Sequence, residues 1–319
     1  MDIERLTLTQ RIMALISEEK PSGICRSIAR KKIKHIETGN QRNLKYSHTD
    51  SQLVLKDYIK ANEIKKKVWS FYNFKGGTGK TSLCFQVSTL LALMGYKILV
   101  IDSDPQGNLS SSLGFDTTDS YLTLYDVVIK NIAAEEAIQK IFTNYYCIPS
   151  NIACSRFDME LNMLGRREEK FKFHLSHLKN VFDFIIFDTN PYISFVVRNV
   201  MIFSDLINIP CETQSYSLNA LRVLFEDMNI FFHNMEVKMP EFIIIPNKYE
   251  DRYGSSGEAM HILRENYKEN LIPNFAVRKA EDFNIAAKEG LPIPCIARKN
   301  SIALEDILYL KKYLLSKAI

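Results

Sequence analysis

None of the six cysteines of this 319-residue chain (Cys25, Cys84, Cys147, Cys154, Cys211, Cys295) falls in a C-x-x-C pair. The sequence patterns of redox dithiols and zinc ribbons are therefore missing. The chain is polar from Asp2 onward and lacks the apolar stretch of a secretory leader, so free thiols in a cytosolic protein are expected. Its longest apolar runs are broken by charge within about ten residues, short of the ~20 that a membrane span needs. A soluble protein without stable membrane association is the expectation. Net charge is only +4, so its sum points to no class of partner. What is present is ample apolar material: 46% hydrophobic residues suffice for one large domain, or a medium domain with a small one.

The charge is unevenly spread. Residues 1–67 hold 15 Lys+Arg against 8 Asp+Glu, a net of +7, and the remainder nets −3. A basic segment ahead of a near-neutral body is the pattern of a unit that meets a polyanion; a solvated charged surface is the alternative. Within it, "LTQRIMALISEE" reads as a helix with Ile12, Leu15 and Ile16 on one face. "CRSIARKKIKHIE" reads as a second, basic helix, "NQRNLKYSHTD" as a turn or short hairpin, and "SQLVLKDYIKANEI" as a third helix.

From Val68 the pattern becomes short β-rich runs alternating with longer helical ones, the form of an α/β domain with a mostly parallel, doubly wound sheet. The runs are "VWSFYN", "KILVID" ending at Asp102, "FDFIIFD" ending at Asp188, "DLINIP" ending at Pro210 and "FIIIPN" ending at Asn247. Ligands of open α/β sheets bind outside the carboxyl ends of the strands, so these end residues are expected to converge on one crevice.

The first run leads into "NFKGGTGKTSL" at residues 73–83, followed by a helix from about Thr81 with Leu83, Val87, Leu90, Leu91 and Met94 on one face and Gly95 as its stop. Gly76, Gly77, Thr78, Gly79, Lys80, Thr81 and Ser82 make a phosphate-binding loop, in which backbone N–H groups turn inward and the helix N-terminus adds positive potential. Lys80 reaches the β- and γ-phosphates in such a loop, and the Thr81 hydroxyl ligates Mg²⁺. The strict form G-x-x-x-x-G-K-[ST] is broken: its first glycine falls on Phe74, and an additional lysine, Lys75, follows. Asp188, closing four apolar residues, is placed to hold the Mg²⁺ shell from a neighbouring strand.

"KGGTGKTS" followed by "VIDSDPQGN" at residues 100–108 resembles the deviant phosphate loop and companion motif of the ParA/MinD family of P-loop ATPases, and "DSDPQGN" is closest to the ParA partition branch. The similarity extends over about residues 68–318, with "FIIFDTNP", "IPCETQSYSLNAL" and "SIALEDILYLKKYL" in the family's order. It implies an ATPase that binds ATP/ADP with Mg²⁺, forms an ATP-dependent homodimer, binds non-specific DNA and answers to a ParB-like centromere-binding adaptor on the nucleoid. Lys75 would be the lysine that crosses the dimer interface, Asp104 would position the attacking water, Asp102 would support the metal site and Asn247 would contact adenine. Arg252, Arg264, Lys268, Arg278 and Lys279 lie where such proteins bind DNA. The switch departs from the family form by carrying Asn190 between Thr189 and Pro191.

Residues 1–66 resemble a winged or MerR-like helix-turn-helix unit, ahead of an ATPase domain at 67–319. Arg26, Arg30, Lys31, Lys34, Arg42 and Lys45 would then meet DNA, and the protein would also act on an operator to repress its own operon. A basic arm that packs a dimer is the other reading. A MinD-like membrane ATPase, a metal-cluster carrier and a regulator using ATP only as a conformational ligand are the alternatives for the whole chain.

Overall fold

Unbroken apolar runs become strands only where both faces of a sheet are covered. The computed structural model describes residues 1–36, 44–59, 61–116, 118–250, 254–298 and 300–319, leaving aside the side chains of residues 215, 216, 254 and 255. An N-terminal segment contains β1 (Thr7–Thr9), α1 (Gln10–Ser17), α2 (Pro21–Arg30), β2 (Lys45–Ser47) and α3 (His48–Leu55). The body continues with β3 (Val68–Phe71), α4 (Lys80–Met94), β4 (Ile98–Asp102), α5 (Asn108–Ser112), α6 (Leu124–Ile129), α7 (Ala134–Ala137), β5 (Gln139–Phe142) and β6 (Tyr145–Ile148). Next come α8 (Phe157–Asn162), α9 (Lys170–Leu175), β7 (Phe184–Asp188), α10 (Phe195–Phe203), β8 (Leu206–Glu212), α11 (Ser215–Asn234) and β9 (Glu241–Asn247). The chain closes with α12 (Gly254–Asn266), α13 (Glu281–Glu289), α14 (Ile293–Ile296) and α15 (Ile302–Ala318).

Seven strands form one sheet in the order β5-β6-β4-β7-β3-β8-β9, parallel except for the antiparallel edge pair β5/β6. This is the mostly parallel P-loop architecture expected from the sequence. Asp102 pairs with Asp188, and Phe71 pairs with both Asp188 and Asn208, so β3, β4 and β7 end level with one another. Strand β8 runs two residues beyond Pro210, because its ladder with β9 continues to the pair Glu212/Asn247.

Helix α4 departs from a one-faced amphipathic helix: 13 of its 15 residues are buried. The sheet covers one side, and α3 and α15 pack on it as well. The N-terminal segment thus continues the main core. Leu8, Met13, Ile16, Val54 and Leu55 belong to the same apolar cluster as Leu90, Leu93, Ile307 and Leu310.

Polar contacts fasten the same seam. The Gln52 amide donates to the Ala92 and Thr143 carbonyls at 2.7 Å each, and the Lys65 and Lys66 N–H groups donate to the Ala318 carbonyl. Buried Lys311 of α15 donates to the Ile16 carbonyl at 2.9 Å, at the C-terminal end of α1.

Within the segment, β1 and β2 pair antiparallel, and Ile36 bridges Lys45. Helix α2 opens at Pro21, whose fixed φ suits a first turn, and ends at Arg30, shorter at its C-terminal end than the basic run suggests. The third helix begins earlier than its apolar pattern, at His48, because Ser47 caps it by accepting from the Asp50 N–H.

Candidate nucleotide site

The loop between β3 and α4 is built by Asn73. Its amide donates to the Pro210 carbonyl at 2.8 Å, and its side-chain oxygen accepts the Lys75 N–H at 3.0 Å. Gly77 and Gly79 have φ of 75° and 93°, a region other residues enter at a cost. A Cβ on Gly79 would also lie 2.2 Å from the Asn247 amide nitrogen, which donates to the Thr78 carbonyl at 2.7 Å. A Cβ on Gly76 or Gly77 would meet no protein atom within 4 Å. These two glycines face open space rather than packing.

That space is a cleft of about 1110 Å³ lined by Gly76, Gly77, Lys80, Thr81, Asp104 and Asn190 among others. A second cavity of about 620 Å³ shares Gly79 and Ser82 with it and is lined by Asn247, Lys248 and Arg278. The loop therefore stands between two lobes at the N-terminus of a long helix, where backbone N–H groups favour an anion.

Three carboxylates lie at this loop, and two of them, Asp188 and Asp104, act on one buried lysine. Lys80 donates to the Lys75 carbonyl at 3.1 Å; burial lowers its pKa, against the charges of Asp188 and Asp104. Asp188 is fully buried, and neither of its carboxylate oxygens has a hydrogen-bond partner among the described residues. Burial, then the charges of Asp102 and Asp104, push its pKa well above the carboxylate range; the Thr81 hydroxyl and Lys80 pull the other way. Asp102, also buried, is pushed up to about 6 by desolvation, against the hydrogen bonds it accepts. Those come from the Ser110 N–H (2.9 Å), the Ser110 hydroxyl (2.7 Å) and the Asp104 N–H (3.1 Å). Asp104 accepts the Gln106 N–H at 3.0 Å and lines the cleft.

A buried carboxylate is costly unless a cation answers it, and at Asp188 the Thr81 hydroxyl and Lys80 do not offset the burial. Asp188 and the Thr81 hydroxyl, hard oxygen groups, fit Mg²⁺. Asp102 has both oxygens occupied, and its bonds fix the start of α5 and the Asp104 backbone. When bound, Mg²⁺ would offset phosphate charge.

Lys75 lines neither cavity. Its ammonium donates to Glu212 at 2.7 Å and to the Ser217 hydroxyl at 2.9 Å, and Glu212 also receives Lys248 at 2.9 Å. Burial would raise the Glu212 carboxyl, but hydrogen bonds from the two lysines outweigh it and hold the pKa below the usual range. Asn73, Glu212 and Ser217 escape the sequence reading. The only signal for Asn73 and Glu212 is a polar residue at a strand end.

Of the basic residues expected to bind DNA, Arg26, Arg30, Lys34 and Lys45 are exposed. Arg30 and Lys31 each contact Asp57 at 2.8 Å. Arg264 and Lys268 are exposed, whereas Arg278 is spent internally, bonded through its backbone N–H and guanidinium to buried Asp306. Lys279 pairs with Glu250 at 2.9 Å. Arg42 and Arg252 lie outside the described residues.

A family model described as an AAA domain matches residues 66–240. Cell division protein PomZ of Myxococcus xanthus is 31% identical over 238 residues, 74% of each chain. The chain belongs to the ParA/MinD family of P-loop ATPases. This ParA-type chain is also 25% identical over 225 residues to the chromosome partitioning protein ParA of Caulobacter vibrioides, covering 68% of this chain and 84% of that one. Its fold is similar to that of McdA from Cyanothece in an ATP complex, with a TM-score of 0.71 and 22% identity over 79% of this chain and 96% of that one. The match to the family model begins at residue 66, so the basic N-terminal segment lies outside it.

Proposed function

We propose that this ParA-type protein is a DNA partition or positioning ATPase that pairs with a second copy of itself when ATP is bound. Hydrolysis then follows on contact with a ParB-like centromere-binding adaptor. The observation that carries the reading is the division of labour between two lysines of one loop. Lys80 is buried against the carboxylates at the cleft, while Lys75 points away from its own cleft. By the resemblance to the family, a lysine so placed would serve a neighbouring subunit. Asp104 positions the attacking water, with Thr81 and Asp188 holding Mg²⁺ and Asp102 behind them. The lobe beside Asn247 takes adenine.

The DNA contacts of this proposal are sequence-independent ones on the body, at Arg264 and Lys268, and a second set on the N-terminal segment. There the order β1-α1-α2-β2, with β2 paired back on β1 and Ile36 bridged to Lys45, supports the reading of a winged helix-turn-helix unit. Helix α2 would lie on DNA through exposed Arg26 and Arg30. Such a unit allows the protein to repress its own operon from a nucleoid-associated, cytoplasmic pool.

Two measurements test this. Single-turnover hydrolysis is expected from the wild type and lost in Lys80→Ala and Asp104→Ala; equal, negligible turnover in all three would instead favour a regulator that uses ATP as a conformational ligand. Binding to random DNA is expected with ATP and to fall steeply with salt. Pelleting with lipid vesicles while ignoring DNA would sink the partition reading in favour of a MinD-like one.

A further inference from the structure

Asn190 stands two residues past Asp188, in the switch position where the sequence departs from the family form. Its placement is fixed from both sides. The Thr189 hydroxyl before it donates to the Phe71 carbonyl at 2.8 Å, tying the segment to β3. The Asn190 side-chain oxygen accepts the Tyr192 N–H at 3.1 Å, closing a tight turn. The residue is 7% exposed and lines the cleft with Lys80, Gly76 and Asp104.

A backbone N–H can be answered only by the carboxamide oxygen, so the bond from Tyr192 determines which way the amide is turned. The –NH₂ group, with no partner among the described residues, is left to the cleft. We propose that Asn190 is a γ-phosphate-sensing residue, whose Nδ2 donates to the terminal phosphate of ATP and finds no equivalent acceptor in ADP. The proposal rests on the nucleotide reading above and adds to it a residue and a discrimination.

The chemistry favours a phosphate oxygen over other occupants. Asp102 and Asp188 are acceptors buried behind the loop, so the cleft wall at Asn190 offers a donor where an anion must be held. An N–H bond to an ionised oxygen is roughly twice as strong as a neutral one. The segment beyond Asn190 ends in α10, whose first turn is capped by the Ser194 hydroxyl accepting from the Val197 N–H at 3.2 Å. Presence or loss of the γ-phosphate is thereby felt at the start of a helix.

The test compares the affinities of the full chain for Mg²⁺ with AMPPNP and for Mg²⁺ with ADP, by calorimetry. Asn190→Ala is expected to bind AMPPNP about tenfold more weakly, the worth of one hydrogen bond to a charged group, with ADP affinity within about twofold as the control for folding. Asn190→Asp keeps the turn-closing oxygen but replaces the donor with charge. It is expected to lose more AMPPNP affinity than Asn190→Ala while still binding ADP. Equal losses for both nucleotides, or an unchanged AMPPNP to ADP ratio in both variants, would overturn the assignment while leaving the nucleotide site intact. A wild type that bound neither nucleotide would instead remove the nucleotide reading, and this inference with it.

Discussion

The two lysines of the loop differ in what holds them, and so they fail differently when removed. Lys80 is buried at the mouth of the phosphate cradle, and Lys80→Ala is expected to abolish binding of both ATP and ADP. Lys75 is held by Glu212 and Ser217, outside the cleft. Lys75→Ala should keep ADP affinity within a few-fold and lose ATP-dependent dimerisation, read by light scattering. Identical behaviour of the two variants would remove the argument from two lysines. Asp188 carries a different prediction. Its folded pKa lies well above that of an unfolded Asp, about 3.9, so between those values the folded chain holds a proton that the unfolded chain has released. The pH-dependent cost of its burial is therefore nil below the unfolded pKa, grows as pH rises toward the folded one, and is constant above it. Asp188→Asn should raise the melting temperature of the nucleotide-free protein at pH 8, with the gain shrinking as pH falls toward 4. Mg²⁺ with nucleotide should stabilise the wild type and not the variant.

Elements were legible from the sequence where a single local pattern decided them. The parallel strands are buried on both faces, so each shows as an apolar run closed by a polar or turn residue. The placing of Asp102, Asp188 and Asn247 at one edge of the sheet follows from strand direction alone, although Asn247 lines the second cavity rather than the first. What a helix packs against is not written in its period. The apolar face of α4 could be read, but its burial on nearly every side depends on α3 and α15, which come from distant parts of the chain. Glu212 lay two residues past the readable end of its strand, since only the pairing with β9 extends it. Arg278 illustrates the same limit for charge: in sequence it joins a basic stripe, whereas in the fold it ties the segment after β9 to α15. Removing its guanidinium leaves buried Asp306 without this charge partner, though the backbone N–H of residue 278 still donates to it. Discounted for the partial exposure of the guanidinium, Arg278→Ala should destabilise by about 2 kcal/mol, visible as a lower melting temperature. Arg264→Ala and Lys268→Ala should leave melting unchanged and weaken DNA binding at low salt.

At the scale of the whole molecule, the basic N-terminal segment contributes to the core that holds α4, the helix on which the phosphate loop ends. A tethered DNA-binding module can be cut away without harm to the enzyme behind it; this segment is built differently. Leu8, Ile16, Val54 and Leu55 lie within the cluster that covers α4 and α15, and burying each such side chain is worth roughly 1.5–3 kcal/mol. Even the share of that burial made against the body is comparable with the ~5–15 kcal/mol by which a domain is usually stable. Deleting residues 1–64 would also unmake the contacts from Gln52 to Ala92 and from Lys311 to Ile16, leaving a buried lysine without its acceptor. A chain beginning at Lys65 is thus expected to aggregate or to melt well below the full chain, and to bind ATP weakly because α4 loses its outer support. Purified side by side, the two chains would be compared by thermal melting with and without Mg²⁺ and ATP. A truncated chain that melts within a few degrees of the full one and binds ATP equally would show that the segment is only carried by the ATPase. Failure of both, with Arg26→Ala in the full chain losing DNA binding alone, would show one segment serving the core on one face and DNA on the other.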